Sequence, residues 1–80
     1  MPKSNLPVYA IVELLIRLAP HNSFIGNYKD HNPNGDNIKV KTTGGTICFT
    51  RVLIMRQFEN PELITDAELS DIATSFSPAA

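Results

Sequence analysis

Apolar residues run almost unbroken from Pro7 to Ala19, PVYAIVELLIRLA, with Glu13 and Arg17 as the only charges among them. At about 100° per residue, Val8, Ile11, Val12, Leu14, Leu15, Ile16, Leu18 and Ala19 fill an apolar arc of roughly 200°, twice what a surface helix needs. Glu13 and Arg17, four residues apart with the acid first, are spaced to pair on the remaining face. Ser4 or Asn5 supplies a cap, Pro7 suits the first turn, and Pro20 ends the helix. The spacing predicts a helix over about residues 6–18. Its width requires cover on two sides, from the rest of the chain or from a second chain.

After Pro20 the period is lost. Ser23-Phe24-Ile25 with Tyr28 has the makings of a short strand, broken by Gly26 and Asn27, and Asp30 to Asn37 is a run of turn formers. So long a connection is unusual in a compact domain and often carries function. Strict alternation returns at Ile38-Lys39-Val40-Lys41-Thr42, and Gly44-Gly45 offers a two-residue turn into the next strand. The pattern predicts a hairpin, 37–43 with 46–51, in which Thr43 faces Thr46, Thr42 faces Ile47, Lys41 faces Cys48, Val40 faces Phe49 and Lys39 faces Thr50. One face then holds Ile38, Val40, Ile47 and Phe49; the other holds Lys39, Lys41, Thr43, Thr46, Cys48 and Thr50. The two strands alternate in agreement, which fixes the faces.

Residues 52–59 carry both strand and helix signals. A helix capped by Thr50 and stopped before Pro61 is the preferred reading. Asn60-Pro61 marks another helical start. Thr65-Asp66-Ala67-Glu68 is a capping box, and Leu69, Ile72, Ala73 and Phe76 follow at helical spacing, so the last helix is expected over about 66–76 with a frayed tail from Ser77. Together these elements predict a single α+β domain over residues 1–80. Its N-terminal helix packs on the β-hairpin, with one or two C-terminal helices closing the core.

Composition agrees with a globular chain, since 42% of the 80 residues are hydrophobic and 19% charged. A chain this short buries only roughly 60% of its unfolded surface, so covering a wide apolar helix is demanding. The net charge of −1 says little, but its distribution is uneven. Residues 1–56 hold all seven Lys and Arg with three acids, a net of +4, while residues 57–80 hold five acids and no base, a net of −5. Such asymmetry bears on association rather than fold. Cys48 is the single cysteine, which excludes an intramolecular disulfide and suits a reducing compartment. Lys3 ahead of the apolar run resembles the basic start of a signal peptide, yet charges interrupt the run and no small-x-small site follows. At 13 residues, Pro7 to Ala19 is also too short to span a bilayer. A soluble, cytoplasmic protein with no membrane partner is expected.

The candidate chemistry is sparse. Asp30-x-Asn32-x-Asn34-Gly35-Asp36 looks like the opening of a calcium loop, with oxygen ligands at alternate positions before a glycine turn. Val40 or Lys41 stands where the closing bidentate acid belongs, so the turn-forming role is preferred and no metal is assigned. Lys39 and Lys41 on the exposed hairpin face, with Lys29 and Arg51 nearby, form a candidate phosphate-contacting ribbon. No aromatic alternates with them to stack bases. Cys48, His21 and His31 have no spacing that assembles a nucleophile, base and orienting group, and Cys48 is read as a partly buried filler. The sequence therefore points to a non-enzymatic protein-binding module without a cofactor, a small regulator or inhibitor that binds another protein or its own copy. Ile11, Leu14 and Leu18 are the expected contact residues on helix 1. The alternative is a small nucleic-acid-binding regulator using Lys29, Lys39, Lys41 and Arg51.

Overall fold

In the computed structural model, which describes residues 6–80, the apolar run forms α1, Val8–Leu18. Pro7 stands at its N-cap, and its carbonyl accepts from the Ala10 and Ile11 N–H groups at 2.9 and 3.3 Å. The expected caps Ser4 and Asn5 lie outside the described residues. Four strands follow in an antiparallel sheet of order β1-β2-β3-β4: β1 Tyr28–His31, β2 Asn37–Thr42, β3 Gly45–Thr50 and β4 Ser77–Pro78. Between β3 and β4 come α2, Arg51–Glu59, a 3₁₀ turn at Pro61–Leu63, and α3, Asp66–Ala73. This is the expected α+β domain, with a sheet two strands wider than the hairpin alone.

The hairpin keeps its expected faces but not its pairing. Ile38 faces Phe49, Lys39 faces Cys48, Val40 faces Ile47 and Thr42 faces Gly45, an offset of two residues from the expected register. Because side chains alternate with period two, that offset leaves every side chain on its expected face. The turn is Thr43-Gly44 rather than Gly44-Gly45. The cause is Thr42, a buried polar residue whose hydroxyl needs partners. It accepts from the Gly44 and Gly45 N–H groups at 3.2 and 3.1 Å and donates to the Ile25 carbonyl.

The two glycines serve close approach. Segment 25–27 crosses one side of the hairpin tip, where Gly44 N–H donates to Ile25 O at 3.1 Å and Thr43 N–H to Asn27 O at 2.8 Å. β4 crosses the other side, and Ala79 N–H donates to Gly44 O at 2.8 Å. A Cβ on Gly44 would overlap the carbonyl oxygens of Phe24 and Ile25, and one on Gly45 would overlap that of Ser77. Gly44→Ala is therefore expected to cost about 1–3 kcal/mol through forced backbone shifts. Urea unfolding measures it, and an unchanged midpoint would show that the tip tolerates a side chain.

Two strands escaped the sequence pattern. In β1 a bulge between Tyr28 and Asp30 puts Tyr28 and His31 opposite the buried Thr42 and Val40, while Asp30 pairs with the outward Lys41. The extra residue destroys period two, so the strand reads as loop. β4 is only two residues long and lies where a frayed tail was expected. Chain segment 23–25 is turn rather than strand, with Ile25 buried and Phe24 exposed.

The helices follow their caps. Thr50 ends β3 and caps α2 at once, its hydroxyl accepting from Leu53 N–H at 3.0 Å, and Thr65 caps α3 by accepting from Glu68 N–H at 3.1 Å. The helical reading of 52–59 is correct. The expected last helix to residue 76 stops at Ala73, because the Thr74 and Ser75 hydroxyls bond Asp71 O and Ile72 O at 2.6 and 2.8 Å and tighten the final turn. One core joins both layers. Ala10, Ile11, Leu14, Leu15 and Leu18 of α1 meet Ile38, Val40, Ile47 and Phe49 of the sheet and Leu53, Ile54, Leu69 and Ala73 of the other helices. On the opposite face Lys39, Lys41, Cys48 and Thr50 are exposed, and Cys48 and Thr50 border a cleft shared with α2 and α3.

Candidate functional site

Rotation of α1 about its own axis decides which apolar residues remain available. Ile11, Leu14 and Leu18, the expected partner-contact residues, are each 0% exposed. They belong to the core, and the expectation of an exposed patch there is corrected. The reason is Arg17, which does not turn to Glu13 as expected. Its guanidinium donates to Gln57 Oε1 at 2.7 Å, Pro61 O at 2.9 Å and Ile64 O at 2.7 Å. Those acceptors close the end of α2 and the 3₁₀ turn. With Arg17 bonded to the end of α2, the neighbouring Leu14 and Leu18 are buried in the core, while Val12 is only half-buried.

The remaining apolar residues of α1 form an outer stripe. Val8, Val12 and Ile16 recur every four residues, with Tyr9 beside them, across an arc of about 100°. Ile16 is 66% exposed, Tyr9 73% and Val8 40%, while Val12 is half-buried. Two more large apolar side chains, Phe58 and Leu63, are exposed at chain neighbours of the Arg17 acceptors Gln57 and Ile64. Val52 on α2 is exposed as well. Phe24, in the turn after α1, is the other large apolar residue so exposed among those described. Buried Gln57 accepts through Oε1 from the Arg17 guanidinium.

A groove of about 630 Å³ runs between α2 and the loop before β2. Val52 and Met55 give it an apolar floor, and Asp36, Arg51, Arg56 and Glu59 form a rim of both signs. Arg56 is paired with Glu68 at 2.7 Å, and Arg51 donates from Nε to Gly35 O at 2.9 Å. This rim carries no net charge that would select an anion or a cation.

The outward face of the sheet has a different character. Lys39 and Lys41 are exposed there as expected, opposite Cys48 and Thr46. Asp30 pairs beside Lys41, placing a carboxylate within the lysine row. Lys29 sits at the β1 bulge, and Arg51 turns to the 35–36 loop at the end of the sheet, so the four basic residues do not form one cluster. Cys48 is exposed on this face rather than a buried filler. Thr50, also on it, is committed to the α2 cap.

In the 30–36 segment the side-chain oxygens of Asp30 and Asn32 serve the backbone. Asp30 Oδ1 accepts from His31 N–H at 2.8 Å, and Asn32 Oδ1 accepts from Lys39 N–H while its Nδ2 donates to Asn34 O at 2.6 Å. Among the described residues no group of three His, Cys, Asp or Glu side chains converges. Tyr28 Oη and His31 Nδ1 lie 2.8 Å apart on the inward face of β1. Burial, with the charge of Asp30 adding to it, pushes the Tyr28 phenol above its ordinary value. Tyr28 packs against the core.

The outer stripe of α1 was legible as spacing, since Val8, Val12 and Ile16 stand four apart in the sequence. What pointed inward was not, because that depends on acceptors forty or more residues away from Arg17. Among the described residues no helix is long and apolar enough to cross a membrane. No family model, curated protein or solved structure matches the chain.

Proposed function

We propose that this protein is a non-enzymatic protein-binding module that works through the outer side of its helical layer. One observation carries the reading: Val8, Tyr9, Ile16, Phe58 and Leu63 are exposed on α1, α2 and the 3₁₀ turn, while the outward side chains of the sheet are Asp30, Lys39, Lys41, Cys48 and Thr50. Apolar side chains left in water on a small domain mark a surface that another protein covers. The aromatic pair Tyr9 and Phe58 supplies the residue types that anchor interfaces. A regulator or inhibitor acting by occupancy needs no more chemistry than this. An exposed thiol at Cys48 fits a reducing, cytoplasmic setting. The nucleic-acid alternative draws on Lys39 and Lys41 alone, and Asp30 opposes it.

The test compares faces. Wild type, an Ile16→Glu/Phe58→Glu variant and a Lys39→Ala/Lys41→Ala variant are immobilised, and proteins retained from a nuclease-treated extract are identified. The same identified protein is expected on wild type and on the sheet-face variant, and absent from the helical-face variant. Loss on the sheet-face variant with retention on the helical-face variant would overturn the reading. Both substitutions on the helical face replace exposed residues, so circular dichroism should be unchanged.

A further inference from the structure

Resting on that reading of the helical layer, we propose that the partner of the α1 stripe is a second copy of this chain, docked antiparallel about a two-fold axis at Val12. The stripe is self-complementary. Val8 and Ile16 stand four residues on either side of Val12, so reversing one helix against another places Val12 on its own mate and Ile16 against Val8 of the other copy. Val8, Tyr9 and Val12 form three corners of the hole that adjacent helix turns present, and Ile16 is a β-branched knob of the size that fills it. Tyr9 then lies along Ile16 of the second copy. An isologous contact of this kind closes on itself and buries the stripe of both copies at once.

Area and charge agree with this occupant. With Tyr9 73%, Ile16 66% and Val8 40% exposed, the stripe offers an apolar area on the order of 400 Å² per copy. That is about half the ~800 Å² per partner of a standard interface, which describes a reversible dimer rather than a permanent one. The net charge of −1 gives two copies little reason to repel. Glu13 is the charged residue bordering the stripe and is half-buried at its rim, near water, where screening moderates its approach to its own mate. Arg17 is held by its own α2 and takes no part.

Sedimentation equilibrium across about 10 µM to 1 mM is expected to show a mass rising from 8.8 kDa toward twice that value, with a dissociation constant on the order of 100 µM. Ile16→Lys, at an exposed position, should keep the circular dichroism spectrum and remain at the monomer mass. Orientation is read by a short bifunctional thiol reagent in a Cys48→Ser background. Val12→Cys should cross-link to itself, and Val8→Cys should cross-link to Ile16→Cys in a mixture but neither to itself. Self-linking of Val8→Cys and of Ile16→Cys would overturn the antiparallel dimer. So would a wild type that stays at the monomer mass to 1 mM, or a dimer that survives Ile16→Lys. Each of those results leaves the helical-layer reading to the capture experiment above, which fails by its own criterion.

Discussion

Phe49→Ala is expected to remove about 3–5 kcal/mol from the unfolding free energy, the range for truncating a buried aromatic. Phe49 is 1% exposed and is the largest fully buried side chain among the described residues. It stands on β3 opposite Ile38, where the sheet's inward face meets the helices. A domain of 80 residues has a total stability of about 4–12 kcal/mol, so the loss takes from about a quarter to all of it. Cys48→Ala, one residue away on the exposed face, should stay within about 0.5 kcal/mol of wild type. Urea midpoints with unchanged slopes measure both. Equal losses at the two positions would mean that the inward and outward faces of β3 are wrongly assigned.

Arg17→Ala is expected to cost about 2–4 kcal/mol, a large effect for a charged residue on a surface helix. Three donors are lost together, and hydrogen bonds from a charged group contribute more than neutral ones. The loss also strips buried Gln57 of the donor to its Oε1. Arg17→Lys should recover little of it, because a point ammonium cannot span Gln57, Pro61 and Ile64 as a planar fork does. Glu13→Ala should be nearly silent. If Lys restored full stability, or if Glu13→Ala cost as much as Arg17→Ala, the guanidinium would not be the tie between α1 and the α2 end.

How far the sequence discloses these facts depends on the range of the interaction. Ile38 to Thr42 and Ile47 to Phe49 alternate because each strand buries one face, and that local cause writes itself into neighbouring positions. Thr50 and Thr65 likewise cap the helix that starts beside them, so both helices were predictable. The observed hairpin register differs by two from the expected one because Gly44-Gly45 has the composition of a two-residue turn without forming it. Gly44 instead makes room for Phe24 and Ile25, a need set by chain that precedes it by twenty residues. β1 hid behind a bulge, and β4 behind a length too short to show a period. The outward face of α1 is likewise set by residues far away in sequence. All of its apolar positions were visible, but the choice between Leu14 and Ile16 as the outward residue rests with Arg17 and its distant carbonyl acceptors.

The hairpin tip also has a temporal consequence. β2 and β3 close a contact between residues three apart in sequence, Thr42 and Gly45, whereas segment 25–27 and the tail at 77–79 reach the same tip from far along the chain in both directions. Loop closure favours the near contact first. The turn thus forms early as a template, and the two outer segments dock on it afterwards, one on each side. Bonds made after the rate-limiting step restrain unfolding more than they hasten folding. By loop length the Ala79–Gly44 bond is expected among the late ones, where it would act as a latch that slows loss of the finished hairpin more than it speeds its formation.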